Sequence, residues 1–200
     1  MKKMPCLFQR GFSDPRRPVL LDAVTPGCGW VFEGLGSPSA KLDGTACAVI
    51  DGKLYARYDA KRDHRTGQLK LPPLGAIPCT DGPDEVTGHW PHWLEVTDQP
   101  QYGWHKKAWQ ACCYPRSPPD GTYELVGPHF QANPHGYERD TFVRHGSILV
   151  SLLPNQCTFE GLRELLSTFS YEGIVFWDEA TGRRCKIRRA DYGFSWPGSS

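Results

Sequence analysis

The chain has 200 residues, with 23 Lys and Arg against 22 Asp and Glu and a formal net charge of +1. That near-balance excludes a globally basic nucleic-acid coat, and no apolar run approaches the ~20 residues that span a bilayer. Met1 to Phe8 has two lysines but no apolar signal core, so we read a soluble, untargeted, cytoplasmic chain, long enough for one domain over 1–200.

Eight cysteines give no C-x-x-C pair. Cys47 and Cys185 lie in apolar strand patterns, so reduced, buried thiols are expected. His89 and His92 flank Trp90 and Pro91, but a zinc site there lacks a second ligand pair. The positive charge is local: Arg183, Arg184, Lys186, Arg188 and Arg189 form one group, and Arg57, Lys61, Arg62 and Arg65 another. Such clusters can line a phosphate-binding groove or be solvated faces.

Residues 1–35 form an N-terminal segment rich in Pro and Gly, in which Val19-Leu20-Leu21 and Trp30-Val31-Phe32 predict short strands. A turn region from Gly34 to Ser39 leads to Lys41-Leu42-Asp43-Gly44-Thr45, with Lys41 where a strand begins. Asp51-Gly52 between two apolar-alternating runs predicts a two-residue hairpin. Alternation puts Leu54, Ala56 and Tyr58 on one face and Lys53, Tyr55 and Arg57 on a polar, basic one. Residues 61–101 read as a long Pro-rich insertion loop, because Pro72, Pro73, Pro78, Pro83, Pro91 and Pro100 exclude a long helix or central strand.

Tyr102 to Cys113 predicts a short helix before Pro115, and Pro118 to Gly121 a turn. Thr122 to Val126 is a strand with Glu124 facing away from Tyr123 and Leu125. A loop at Gln131, Asn133 and Pro134 follows, then a strand from Ser147 to Leu153. Thr158 caps a helix whose Phe159, Leu162, Leu165, Leu166 and Phe169 form one apolar stripe. Glu172 to Trp177 and Arg183 to Arg189 are strands joined by Asp178 to Gly182. Alternation groups Glu172 with Ile174 and Phe176, and Lys186 with Arg188. The tail Pro197 to Ser200 is expected to fray.

K-x-D-G at Lys41 carries little weight alone. Three later segments stand in the order that covalent nucleotidyl transfer requires: Tyr123-Glu124-Leu125-Val126-Gly127, Glu172-Gly173-Ile174-Val175 and Lys186-Ile187-Arg188. Together they resemble the covalent nucleotidyltransferase superfamily of RNA ligases, DNA ligases and mRNA capping enzymes. With Thr87-Gly88-His89-Trp90-Pro91, the chain is similar to single-domain ATP-dependent RNA ligases of the DUF5565 type.

The resemblance implies an α+β nucleotidyltransferase (ATP-grasp-like ligase) domain, two packed antiparallel sheets with short flanking helices and ATP in the cleft between them. It implies an enzyme that joins RNA ends bearing 5′-phosphate and 3′-hydroxyl, in RNA repair, through a lysyl-AMP intermediate; a monomer is expected because no heptad or long apolar edge argues for an obligate oligomer. Lys41 would be the nucleophile, Lys186 would hold the α-phosphate, and Arg188 would support it or contact RNA. Leu42, Asp43 and Gly44 would flank the nucleotide, Glu124 would take its ribose, Arg57 a phosphate and His145 the adenine. Glu172 would bind Mg²⁺ or Mn²⁺. A lysine must be neutral to attack, against an ordinary pKa near ~10.4. Cations such as Lys186 and Arg188, a metal and desolvation act toward that state, whereas a bare Glu172 carboxylate acts against it.

Thr45 and Ala46 follow Gly44, where capping enzymes and many DNA ligases place an arginine two positions on. The chain ends twelve residues after Arg188, too few for the OB-fold domain of those enzymes, which favours RNA ligases. RNA contacts are expected from the 61–101 loop or from Arg10, Arg16 and Arg17. The alternatives are RNA guanylyl transfer or DNA ligation on the same residues, and a non-catalytic nucleic-acid-binding domain. In the last, Trp90, Trp93 and Trp104 would stack on bases rather than fill the core.

Overall fold

The computed structural model describes residues 3–11, 18–63, 65–85, 87–113 and 117–196. Arg16, Arg17, Pro115 and the tail Pro197 to Ser200 lie outside them. The strands are β1 (Phe8–Gly11), β2 (Val19–Val24), β3 (Ser37–Lys41), β4 (Thr45–Ile50), β5 (Lys53–Ala60), β6 (Ile77–Pro78), β7 (Trp90–Glu95), β8 (Gly121–Val126), β9 (Thr141–Arg144), β10 (Gly173–Asp178) and β11 (Arg183–Arg188). The helices are α1 (Gly103–Cys112) and α2 (Phe159–Thr168). Mostly antiparallel sheets with few helices make the fold α+β. No helix among the described residues is long and apolar enough to cross a membrane. The chain divides into two compact units, one of Met1–Lys3 with Gly44–His145 and one of Met4–Asp43 with Gly146–Ser200.

The first unit is built on a sheet in the order β6-β7-β5-β4-β8-β9, antiparallel throughout. Asp51 (φ 50°) and Gly52 (φ 71°) both adopt the left-handed conformation, which matches a tight hairpin turn to the strand twist. Asp120 secures the turn by accepting from the Asp51 and Gly52 N–H groups at 2.9 and 3.1 Å. Cys47, Leu54 and Leu125 pack with Ala108 of α1 and Phe130. On the other face Ala48, Tyr55 and Trp93 form a second cluster. The face expected to be polar and basic therefore has an apolar patch, with Tyr55 buried.

The 61–101 segment corrects the expectation of a loop without a central strand, because β7 lies between β5 and β6. Pro91 sits opposite Asp59, and its carbonyl accepts from Cys79 N–H on the β6 side. Its missing N–H falls on that same side, where the β6 ladder is two residues long, so little pairing is lost. Asp84 orders the approach, taking Thr87 N–H and hydroxyl at 2.8 and 2.7 Å. Of the tryptophans, Trp93 is core, whereas Trp104 is exposed and stacks on His129 at 3.3 Å between centroids.

The second unit carries the sheet β11-β10-β3 and the hairpin β1-β2. Ile174, Phe176, Cys185 and Ile187 share a core with Leu162 and Leu166 of α2, Leu7, Phe8, Trp30 and Val31. Thr158 caps α2 as its sequence predicts, accepting from Gly161 N–H at 3.0 Å. Arg189 closes the other end, donating to the Leu166, Ser167 and Phe169 carbonyls, where the helix's own N–H donors run out. All eight cysteines are free thiols, and burial pushes Cys47 and Cys185 up.

Three local expectations are corrected here. Trp30-Val31-Phe32 is not a strand: Gly29–Val31 is a 3₁₀ turn that buries the neighbours Trp30 and Val31 together, whereas a one-faced strand buries alternate residues. The turn before Lys41 is confined to Gly34 and Gly36, with φ of 73° and 86°. Ser37 already belongs to β3, so Lys41 ends a strand rather than beginning one. Ser147 to Leu153 makes one bridge, Ser39 to Leu149, with Ala40 N–H donating to Ile148 and Val150 N–H to Pro38. The reciprocal bond from position 38 cannot form, because proline has no N–H.

Candidate active site

Strand register determines what meets around Lys41. Lys41 and Arg188 both lie opposite Gly173, Ser39 and Lys186 opposite Val175, and Ser37 and Arg184 opposite Trp177. Directly opposed residues share a face. Lys41, Lys186, Arg188 and Arg184 thus stand on one face of the sheet, with Ile174, Phe176, Cys185 and Ile187 on the other. Strict alternation would send Glu172 into the core with Ile174 and Phe176. That expectation fails because β10 begins only at Gly173.

Glu172 turns instead to Lys41, forming an ion pair with its Nζ, and has Arg188 Nη1 at 3.9 Å. Lys41 Nζ also donates to the Leu42 carbonyl at 3.2 Å. Burial raises the Glu172 carboxyl against the pull of Lys41 and Arg188, with Asp43 raising it further. Burial, and then the charges of Lys41 and Arg188, push Lys186 down to about 8. Leu42 is buried, and Asp43 Oδ2 accepts from Trp196 Nε1 at 2.9 Å.

Sequence reading missed Asp191. Its carboxylate takes Arg188 Nε and Nη2 at 3.2 and 2.8 Å, the Arg188 N–H at 2.9 Å and Arg10 Nη2 at 2.5 Å. Burial alone would raise this carboxyl, but the bonds and charge of Arg188, with Arg10, hold it below the usual range. Arg188 is thereby fixed in orientation. Arg10, expected to reach for RNA, is tied to the same group. The Arg-x-x-Asp spacing from 188 was the only local sign of it.

The C-terminal basic group is divided among separate tasks. Arg183 binds Asp178 at 2.8 Å, Arg188 binds Asp191 and Arg189 caps α2. Arg184 lies over the Trp177 ring at 4.3 Å.

In the other unit, Glu124 of β8 faces away from Tyr123 and Leu125 as expected. Its Oε1 accepts from Gly44 N–H at 3.1 Å, and its Oε2 lies 2.9 Å from His145 Nε2. A Cβ at Gly44 would come within 2.4 Å of the Leu125 carbonyl oxygen, so glycine is what lets this strand start close against β8. Glu124, Gly44 and His145 are thus brought together. Arg57 is held by Asp59 at 2.9 Å.

Among the described residues no group of three or more His, Cys, Asp or Glu is placed to hold a metal ion. The chain matches no protein-family model, and no curated protein matches it.

Proposed function

We propose that this chain is an ATP-dependent RNA ligase of nucleotidyltransferase architecture, joining 5′-phosphate and 3′-hydroxyl ends through AMP carried on Lys41. The observation that carries the reading is the pairing of the Lys41 amine with buried Glu172, on a sheet face shared with Lys186 and Arg188. Cations on three side chains suit a polyphosphate, and a lysine among them is a nucleophile for its α-phosphorus.

In the ion pair the Lys41 amine is committed to Glu172. Reaction requires it to leave Glu172 and give its protons to water; nitrogen bonds to the α-phosphorus while the bond from that phosphorus to the bridging oxygen breaks, and the electron pair leaves on pyrophosphate. Lys186 faces charge building on the α-phosphate, and Arg188, held by Asp191, supports it. Glu172 suits Mg²⁺ or Mn²⁺, because its carboxylate is buried with Asp43 near enough to raise its pKa. Such a cation binds through one or two carboxylates plus substrate phosphates and would neutralise phosphate charge there. AMP then passes from Lys41 to an RNA 5′-phosphate, and an RNA 3′-hydroxyl displaces it. Nucleotide recognition by Glu124, His145 and Arg57 is carried by the sequence resemblance alone.

The test supplies 5′-phosphorylated, 3′-hydroxyl RNA with ATP or GTP and Mg²⁺ or Mn²⁺. Joined RNA is expected with ATP, and none when the 5′-phosphate is removed. Transfer of GMP to a 5′-diphosphate end would make the protein a capping enzyme instead. RNA binding without turnover of either nucleotide would make it a non-catalytic binder.

A further inference from the structure

The face that carries Lys41 extends beyond Lys186. Along β11, Arg188, Lys186 and Arg184 follow at alternate positions, each step about 6.7 Å along the strand. Lys41 stands in the row of Arg188, and its amine is drawn past the start of β10 toward Glu172. Arg184 stands at the opposite end, in the row of Trp177. Lys186 lies between them.

Arg184 differs from its neighbours in what it binds. Arg183, Arg188 and Arg189 are each engaged by a carboxylate or by carbonyls. Among the described residues no hydrogen bond or ion pair engages Arg184, whose guanidinium lies on the Trp177 ring. Stacking fixes the plane of an arginine and leaves its edge N–H groups to donate, a form suited to two phosphate oxygens at once. Its charge is also partly desolvated, since burial lowers its pKa.

In-line phosphoryl transfer places nucleophile and leaving group on opposite sides of the reacting phosphorus. With Lys41 at one end of this face and Lys186 at the α-phosphate, the leaving group points toward Arg184. We infer that Arg184, stacked on Trp177, is the pyrophosphate-binding residue of this site, holding the β- and γ-phosphates of ATP and the pyrophosphate that leaves. The assignment rests on the ligase reading for its place in the reaction. In that step the bond from Lys41 nitrogen to the α-phosphorus forms, and the bond from the α-phosphorus to the bridging oxygen breaks. The electron pair leaves with pyrophosphate on Arg184, and the proton that the neutral amine sheds as the N–P bond forms passes to water.

Calorimetric titration of inorganic pyrophosphate into the full chain reads this subsite without any reaction. Wild type is expected to bind, and Arg184→Gln to bind at least tenfold more weakly. Arg184→Lys keeps the charge but loses the planar stack, and falls between them. Arg183→Gln lies on the other face and binds as wild type does; thermal melting of each variant checks that it is folded. Equal affinity in wild type and Arg184→Gln, or no binding in wild type, overturns the assignment. Lysyl-AMP formation is scored separately. If wild type binds pyrophosphate through Arg184 but forms no lysyl-AMP, the ligase reading falls and the anion subsite stands. If Arg184→Gln forms lysyl-AMP with an unchanged KM for ATP, the subsite falls and the ligase reading stands.

Discussion

Replacing Lys186 with methionine is expected to give a protein that is more stable than wild type at neutral pH and nearly inactive. The side chain stands half-buried beside two other cations, and its folded pKa is about 8, against ~10.4 for an unperturbed lysine. Below pH 8 it is charged in both states, and the folded state bears the desolvation and repulsion, a cost of about 2 kcal/mol after allowing for partial exposure. Between pH 8 and the unfolded value the unfolded chain binds the extra proton, so wild-type stability rises with pH in that window. Denaturant melts at pH 7 and 10.5 should show the methionine advantage at the lower pH and its disappearance at the higher one. Lysyl-AMP formation should fall roughly 10²- to 10³-fold, the usual loss when a group that stabilises transition-state charge is removed. Wild-type activity should also decline above pH 8 as Lys186 loses its proton. Equal stability at pH 7, or an undiminished rate, would show that Lys186 is an ordinary surface lysine.

Gly173→Ala is expected to cost about 3 kcal/mol, the upper part of the usual range for overpacking. A Cβ there would lie 2.2 Å from the Ile187 carbonyl oxygen and 2.7 Å from Arg188 Cα. Both are backbone atoms of the paired strand, so no side-chain rotation relieves the clash. β10 and β11 must part at the row that aligns Lys41 with Arg188, and lysyl-AMP formation should fall with stability. Gly29→Ala is the matched control: its Cβ meets nothing within 4 Å, and the change should stay within about 0.5 kcal/mol. Urea melts of the two variants decide the matter, and similar midpoints would refute the close packing at Gly173.

The parts of the fold legible in the sequence are those fixed by neighbours in the chain. Asp51-Gly52 announces its hairpin, Thr158 announces α2, and alternation separates Lys186 and Arg188 from Cys185 and Ile187. Interactions set by distant segments were not legible. The strand ending at Lys41 is hidden behind Gly36 and Pro38, because only pairing with β10 reveals it. Pro91 reads as a strand breaker until β6 proves to be a two-residue edge. Glu172 escapes alternation because the strand starts one residue later, at a glycine. Asp191 is invisible as a site residue, since one of its partners, Arg10, is 181 positions away.

Peptide mapping by mass spectrometry, after incubating the full chain with ATP and Mg²⁺ or Mn²⁺, reads directly whether Lys41 carries AMP. An AMP adduct is expected on the peptide containing Lys41, localised to that lysine, absent from Lys41→Ala and not replaced by a GMP adduct when GTP is supplied. A folded protein, free of bound AMP, that acquires no adduct or acquires it on another residue would show that Lys41 is not the nucleophile of a ligase.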